Sequence, residues 1–119
     1  MATITYNSDK FILIAPENAT TLPCRIGGTA GSTIKAGTPL SGDLLARNTA
    51  FTETTAQGTP VAVLLHDVTI PVGETATNGT IIIEGTVDVL KLDTVTAAKI
   101  TATVATALAG KIYFVKGAK

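Results

Sequence analysis

The chain has 119 residues, and its nine basic and nine acidic side chains give a formal net charge of zero. Charged residues make up 15% of the chain, against about 25% in ordinary soluble domains. Because no basic field is present to attract phosphates or anionic lipid, we expect no nucleic-acid partner and no membrane partner. The hydrophobic content of 45% excludes a disordered chain, and the length is that of one folded domain.

Two small residue types dominate the composition. The chain contains 22 Thr and 17 Ala, together about a third of its residues. A surface built from these side chains is nearly neutral and weakly hydrated. Since soluble proteins usually carry more surface charge, this composition favours permanent association with a partner.

Targeting signals are not evident near the N-terminus. Residues 1–7 contain neither the basic region nor the apolar region of a secretory signal. The longest apolar runs, at residues 11–16 and 61–65, are far shorter than the ~20 residues of a membrane helix. We therefore expect synthesis in the cytosol and no transmembrane segment.

The first 26 residues differ from the remainder. A polar stretch at residues 6–10 precedes an apolar run at 11–14, and two prolines follow within residues 16–23. This order has no helical or strand period, so we predict an N-terminal extended arm or edge segment over residues 1–26, followed by a β-rich domain over residues 27–119. Such a segment can add a strand to a partner's sheet edge, or it can pair with a strand of its own domain.

The first half of the domain is divided by turn residues. Residues 27–32 form a Gly-rich stretch, and a Gly-Thr-Pro sequence occurs at residues 37–39 and again at 58–60. These sequences combine a permissive glycine with the fixed φ of proline, so each predicts a turn before a strand. The apolar run at 61–65 then predicts a central strand that is buried on both faces.

A second strand follows a predicted turn. The dipeptide Asn78-Gly79 predicts the turn at the end of the connection, and residues 80–89 predict the clearest strand of the chain. Alternation places Val87 and Val89 on one face, with Glu84 and Asp88 on the other. Gly85 within this strand predicts a bulge or a bend at a barrel corner.

The pattern near the C-terminus predicts a helix. Asp93-Thr94 resembles a helix cap, the apolar residues Ile100, Val104 and Leu108 recur every four positions, and Gly110 marks the end. Apolar residues also alternate with Thr in this region, which fits a strand, but the alanine density favours the helix. An alternating strand at residues 111–116 follows. The sum is a mainly β fold, a small β-barrel or β-roll with one short α-helix near the C-terminus.

Few residues offer chemistry. The loop at residues 27–32 lacks the Lys and the strand-to-helix context of a phosphate-binding loop. His66 is the single histidine, and the adjacent Asp67 points to the opposite face of a strand, so a base with its orienting carboxylate is not formed. Cys24 is the single cysteine, and we expect it to be an inert packing residue. We therefore predict no catalytic residues, no metal site, no cofactor and no small-molecule substrate.

One pair of carboxylates shares a strand face. Glu84 and Asp88 are four residues apart across Gly85. Paired carboxylates can serve acid–base chemistry. Where they do not lie in a cleft, such pairs are typical of a solvated strand edge. We expect a solvated edge here, and the protein is predicted not to be an enzyme.

Four stretches occur in an order that resembles a known family. They are residues 34–40 (IKAGTPL), 59–68 (TPVAVLLHDV), 79–87 (GTIIIEGTV) and 90–92 (LKL). Followed by a short helix and a terminal strand, they resemble the lambda-type phage head decoration proteins, also called capsid cement proteins, from about residue 27 to residue 116.

The resemblance implies a β-tulip-like domain and a structural role. Such a protein forms a homotrimer on the outer surface of the expanded head, at threefold and quasi-threefold positions. There it binds the major capsid protein and stabilises the shell against packaged DNA. The protein would be made in the host cytoplasm and located in the virion. By analogy, the capsid-contacting arm would contain Ala2, Thr3, Ile4, Thr5, Tyr6, Phe11, Ile12, Leu13 and Ile14.

Two other roles remain open from the sequence. The first is the base module of a head fibre, or an adhesive display protein that binds a host surface, which should carry an additional repeat. The second is a small carrier or accessory domain, which would need a modifiable Lys at a hairpin tip. The predicted turn at Asn78-Gly79 holds no Lys.

Overall fold

The computed structural model describes residues 12–14, 16–55 and 58–116. Of the predicted arm residues, Ala2, Thr3, Ile4, Thr5, Tyr6 and Phe11 lie outside the described residues. The strands of the described part are β1 (Leu13–Ile14), β2 (Thr20–Gly27), β3 (Thr33–Ile34), β4 (Pro39–Ser41), β5 (Thr52–Glu53), β6 (Ala62–Leu64), β7 (Val68–Thr69), β8 (Ala76–Asp88) and β9 (Ile112–Val115). The helices are α1 (Thr94–Ala97) and α2 (Ala102–Ala107), with 3₁₀ turns at Pro16–Asn18 and Val89–Lys91. The mainly β prediction is confirmed.

The longest strand, β8, organises the sheets. Its first part pairs antiparallel with β2 and β6, and the order continues through β4 to β5. A parallel bridge joins Ile26 of β2 to Phe51, directly before β5. The Phe51 N–H donates to the Arg25 carbonyl and the Gly27 N–H to the Phe51 carbonyl, both at 2.8 Å. These bonds connect the two ends of the order β2-β8-β6-β4-β5 into a five-strand ring.

Alternation along β6 and β8 separates two cores. Leu64 pairs with Ile81, and both belong to the core inside the ring. Val63 pairs with Ile82, and both belong to the second core, against α2, β1 and β9. All four side chains are fully buried. The prediction of a central strand buried on both faces is therefore confirmed.

The turn predicted at Asn78-Gly79 is wrong. Both residues lie inside β8 and pair with Arg25 and Cys24 of β2. A Cβ atom at position 79 would lie 2.7 Å from Cγ1 of Ile26, so the glycine is needed for the close approach of a buried side chain rather than for a turn. The turn before β8 lies at residues 71–74, where Gly73 has a φ of +89° and the Glu74 N–H donates to the Pro71 carbonyl at 3.0 Å.

The predicted irregularity at Gly85 is confirmed. This residue has a φ of +148°, and from here β8 exchanges its partners β2 and β6 for β1 and β9. The register with β2 also shifts between Thr20 and Thr21, which face Glu84 and Ile82. A residue with a side chain is disfavoured at this φ, so the glycine allows one long strand to serve two sheets.

The single C-terminal helix of the prediction is two helices. Asp93 caps α1 as predicted, and its side chain accepts a hydrogen bond from the Val95 N–H. This first helix ends at Ala97. Thr101 then caps the second helix, since its hydroxyl accepts a hydrogen bond from the Val104 N–H at 3.2 Å. Gly110 follows α2 with a φ of +88°, and the predicted terminal strand is β9.

The predicted boundary between arm and domain, at residues 26 and 27, falls inside β2. This strand pairs with β8 from Thr20 to Gly27. Further upstream, β1 pairs with β8 as well, and Ile12 and Leu13 are buried members of the second core. For residues 12–14 and 20–26, therefore, the partner is the protein's own domain.

Candidate interaction surface

The sheet formed by β1, the second part of β8 and β9 has an apolar outer face. The registers place Ile14 and Tyr113 on either side of Thr86, and Val115 lies two residues beyond Tyr113 on the same face. Their exposed fractions are 36% for Ile14, 55% for Tyr113 and 39% for Val115. We call Ile14, Thr86, Tyr113 and Val115 the outer face.

The opposite face of this sheet packs into the second core. Leu13 pairs with Val87, and Ile112 pairs with Gly85. Leu13, Val87 and Ile112 are buried in one cluster. The strand period of two thus assigns neighbouring residues to different roles. Of the predicted contact residues that the structure describes, Ile12 and Leu13 hold the segment to the domain, and Ile14 presents its side chain to solvent.

The strand β9 forms one edge of this sheet. Within the described part of the chain it pairs with β8 alone, and an edge strand of this kind is where a further strand can be added. Lys111 and Lys116 lie at its two ends, and both are exposed. Charged residues beside an edge strand discourage uncontrolled pairing between copies.

The two carboxylates predicted to form a solvated edge have separate roles. Asp88 is buried, and its Oδ1 accepts a hydrogen bond from the Leu90 N–H at 3.0 Å. Glu84 is exposed, and its Oε1 accepts from the Thr20 hydroxyl at 3.1 Å. The prediction is therefore wrong for Asp88, which is buried and caps the 3₁₀ turn Val89–Lys91.

Of the residues considered for chemistry, Asp67 forms polar contacts within the fold, His66 is exposed and Cys24 is buried. Asp67 accepts a hydrogen bond from the Ala36 N–H at 2.8 Å and forms an ion pair with Lys35 at 3.5 Å. His66 is exposed at the end of the segment after β6. Cys24 is buried, and burial raises the pKa of its thiol while the charge of Arg47 opposes that rise. The reactive thiolate is consequently disfavoured.

Neither a metal-binding cluster nor a membrane-spanning helix is found among the described residues. In the described ranges, no three His, Cys, Asp or Glu side chains lie close enough together to hold a metal ion. Nor does any helix of those ranges combine the length and the apolar character required to cross a membrane.

Comparison with known proteins leaves the family resemblance untested. No protein-family model matches the chain, and a search of curated proteins found no match. The likeness to phage decoration proteins stays a prediction from the sequence.

The sequence contained a partial signal for the outer face. Residues 112–115 alternate between core and solvent, and this alternation is visible in the apolar pattern of the predicted terminal strand. The partners of this strand were not visible, because a parallel pairing with β8 has no local sequence signature. The sequence could therefore identify Tyr113 as a strand residue without placing it beside Ile14.

Proposed function

We propose that this protein is a phage capsid decoration protein. In this role it binds the major capsid protein on the outer surface of the expanded head, as a homotrimer at threefold and quasi-threefold positions. The observation that carries the proposal is the apolar outer face, whose residue Ile14 belongs to the segment that the sequence predicted to contact the capsid. In this proposal the outer face docks on the shell, and the other predicted arm residues precede Ile14 of that face in the sequence.

The composition supports the same role. Apolar surface stabilises an association by about 25 cal/mol per Å² removed from water, and Ile14, Tyr113 and Val115 offer such surface. A neutral chain also approaches a large assembly without strong repulsion. Bound copies stabilise the assembled shell by mass action, because they bind the shell and not its dissociated subunits.

The contact residues follow from the burial of the segment. Ile12 and Leu13 are held in the second core, so they anchor the arm. We assign contact with the shell to Ile14, Tyr113 and Val115, together with the arm residues Ala2, Thr3, Ile4, Thr5, Tyr6 and Phe11.

The test is retention on heads prepared without this protein. Purified protein is mixed with expanded heads of the phage whose genome encodes it, and bound protein is measured by sedimentation. We expect saturable retention and a higher temperature of head disruption. The double variant Tyr113→Ser/Val115→Ser should fold and lose at least about tenfold in affinity, since each tenfold change corresponds to 1.4 kcal/mol.

A matched control separates the outer face from general hydrophobicity. Val72 is 90% exposed in the turn before β8, distant in sequence from the outer face, and Val72→Ser should be retained like the wild type. Failure of the wild type to bind would contradict the proposed function. Equal retention of the double variant and the wild type would contradict the assigned surface.

A further inference from the structure

Both arginines of the chain line one open cleft at the other end of β8. Arg25 lies in β2 and Arg47 in the loop after β4, and their backbones are joined by a hydrogen bond from the Arg25 N–H to the Arg47 carbonyl, 3.1 Å long. The cleft has a volume of about 570 Å³. Asn78, which contributes to the lining, is eight residues from Thr86 along β8, a chain length of at most roughly 26 Å at about 3.3 Å per residue. The cleft and the outer face therefore use residues from different ends of β8.

Each guanidinium is oriented by one hydrogen bond and retains further donors. Arg25 Nη1 donates to Asn78 Oδ1 at 3.0 Å. Arg47 Nη1 donates to the Pro23 carbonyl at 2.6 Å. A guanidinium has five N–H donors in a fixed fork, so both groups keep donors for another acceptor. Their orientation before binding lowers the entropy that a ligand contact must overcome.

Neither arginine forms an ion pair within residues 12–14, 16–55 and 58–116. Ion pairs of those ranges include Lys35 with Asp67 and Lys99 with Glu53. Asp43 belongs to the same loop as Arg47, and its Oδ1 accepts from the Leu45 N–H at 2.9 Å. Two like charges beside one cleft repel each other, and an anion between them removes that repulsion.

The rim of the cleft distinguishes a polypeptide from a free ion. Leu45 is 96% exposed beside Arg47, and Leu44 lines the same cleft half-buried. The exposed leucine offers apolar contact and the two oriented arginines offer hydrogen bonds, and arginine is enriched at protein-binding interfaces. A free inorganic anion would use the arginines and leave the leucine exposed.

We propose that this cleft binds an acidic side chain of a partner polypeptide. The carboxylate accepts hydrogen bonds from Arg25 and Arg47, and an apolar neighbour of the acidic residue contacts Leu45. This site is independent of the proposed shell contact, because its residues lie at the opposite end of β8.

The test is a titration of the full chain, ¹⁵N-labelled, with short peptides. Acetyl-Leu-Glu-Leu-amide should shift the amide signals of Leu45, Arg47 and Asn78. Acetyl-Leu-Gln-Leu-amide, which has the same shape without the charge, should bind at least about fivefold more weakly, because charge-assisted hydrogen bonds are roughly twice as strong as neutral ones. Equal affinity for the two peptides, or no shift with the Glu peptide, would overturn the proposal.

Variants test the two components separately. Arg25→Lys retains the charge and loses the fork, so the Glu peptide should bind about fivefold more weakly. Arg47→Lys should weaken binding of the Glu peptide in the same way. If Arg47→Lys does not fold, the result with Arg25→Lys decides the test. Lys111→Ala, whose backbone carbonyl accepts from the Gly85 N–H beside the second part of β8, should bind like the wild type. A loss with Lys111→Ala equal to that with Arg25→Lys would show attraction by overall charge and refute the site.

Inorganic phosphate and Leu45→Ser separate a polypeptide from a free anion. We expect Leu45→Ser to weaken the Glu peptide and to leave any phosphate shifts unchanged. If phosphate binds more tightly than the Glu peptide and Leu45→Ser has no effect on either, the cleft takes free anions and the proposal of a polypeptide partner fails.

Discussion

Ile26 and Phe51 pair in a parallel bridge that connects the two ends of the five-strand order. Both side chains are fully buried in the core inside the ring. The two residues are 25 positions apart, so forming the bridge costs loop-closure entropy. The apolar contacts that the bridge buries offset this cost. We therefore expect the stability of the ring to depend strongly on this contact.

Removing the Phe51 ring should destabilise the whole domain. Phe51→Ala deletes a fully buried aromatic side chain, and such changes cost about 3–5 kcal/mol in free energy of unfolding. Leu45→Ala is the matched control, because that residue is 96% exposed, and it should change stability by less than about 0.5 kcal/mol. Urea unfolding followed by circular dichroism measures both. A cost below about 1 kcal/mol for Phe51→Ala would show that the bridge is dispensable.

We expect the packing around position 79 to require a residue without a side chain. In Gly79→Ala the new Cβ would lie 2.7 Å from Ile26 Cγ1, and such overpacking costs about 1–3 kcal/mol. In an Ile26→Ala background the same substitution should cost far less, because the crowded atom is gone. Denaturant unfolding of the four proteins yields the coupling energy, expected to be at least about 1 kcal/mol. Equal costs in both backgrounds would contradict the steric explanation.

Asp93 should make stability dependent on pH. The Thr96 hydroxyl, which donates to Asp93 Oδ2 at 2.7 Å, lowers the pKa of that carboxyl below its ordinary value, and the Val95 N–H and the Lys35 charge act in the same direction. A pKa lowered by folding contributes stability above the pKa of the unfolded chain, and the contribution disappears as the pH falls through the folded pKa. As the pH falls, the free energy of unfolding of the wild type should therefore approach that of Asp93→Asn.

The control for this effect is Thr96→Val. It removes the hydroxyl that is the largest cause of the lowered pKa and retains the shape of a buried side chain. Thermal unfolding between pH 7 and about pH 3, the range that includes the ordinary pKa of Asp, should show a weaker acid dependence in this variant. An unchanged acid dependence would assign the effect to another carboxylate.

Two truncations should separate anchoring from shell contact. Deleting residues 2–11 leaves Ile12 and Leu13 in the second core, so the free energy of unfolding should change little. Deleting residues 2–14 removes both buried side chains, each of which contributes about 2–5 kcal/mol. Under the proposed function, the shorter deletion folds and loses retention on heads. A stable domain after the longer deletion would contradict the assigned anchor.

The accuracy of prediction from sequence varied with the range of the interaction. The strand over β6 was recognisable because five consecutive apolar residues flanked by a turn require burial on both faces. The cap at Asp93 was recognisable because its partner, the Val95 N–H, is two residues away. Asn78-Gly79 was misinterpreted because the turn preference of that dipeptide is local, whereas the space beside Gly79 is occupied by Ile26 from another strand.

The candidate surfaces show the same division. Tyr113 was placed in a strand from its alternating pattern, but its position on a face with Ile14 depends on the register of β1 and β9 against β8. Likewise, Arg25 and Arg47 are 22 residues apart in the sequence and meet because β2 bonds to the loop after β4. Such registers arise from competition among many strand pairings, and no local propensity encodes them.

By itself, the sequence determined the class of the fold, the doubly buried strand, the irregularity at Gly85 and the neutral, Thr-rich surface. These properties follow from local propensity and composition. Only the tertiary structure decided that Ile12 and Leu13 belong to the core, that β9 pairs in parallel with β8, and that Ile26 meets Phe51 to complete the ring. Those outcomes depend on which apolar surfaces are buried together, and burial is a property of the whole chain.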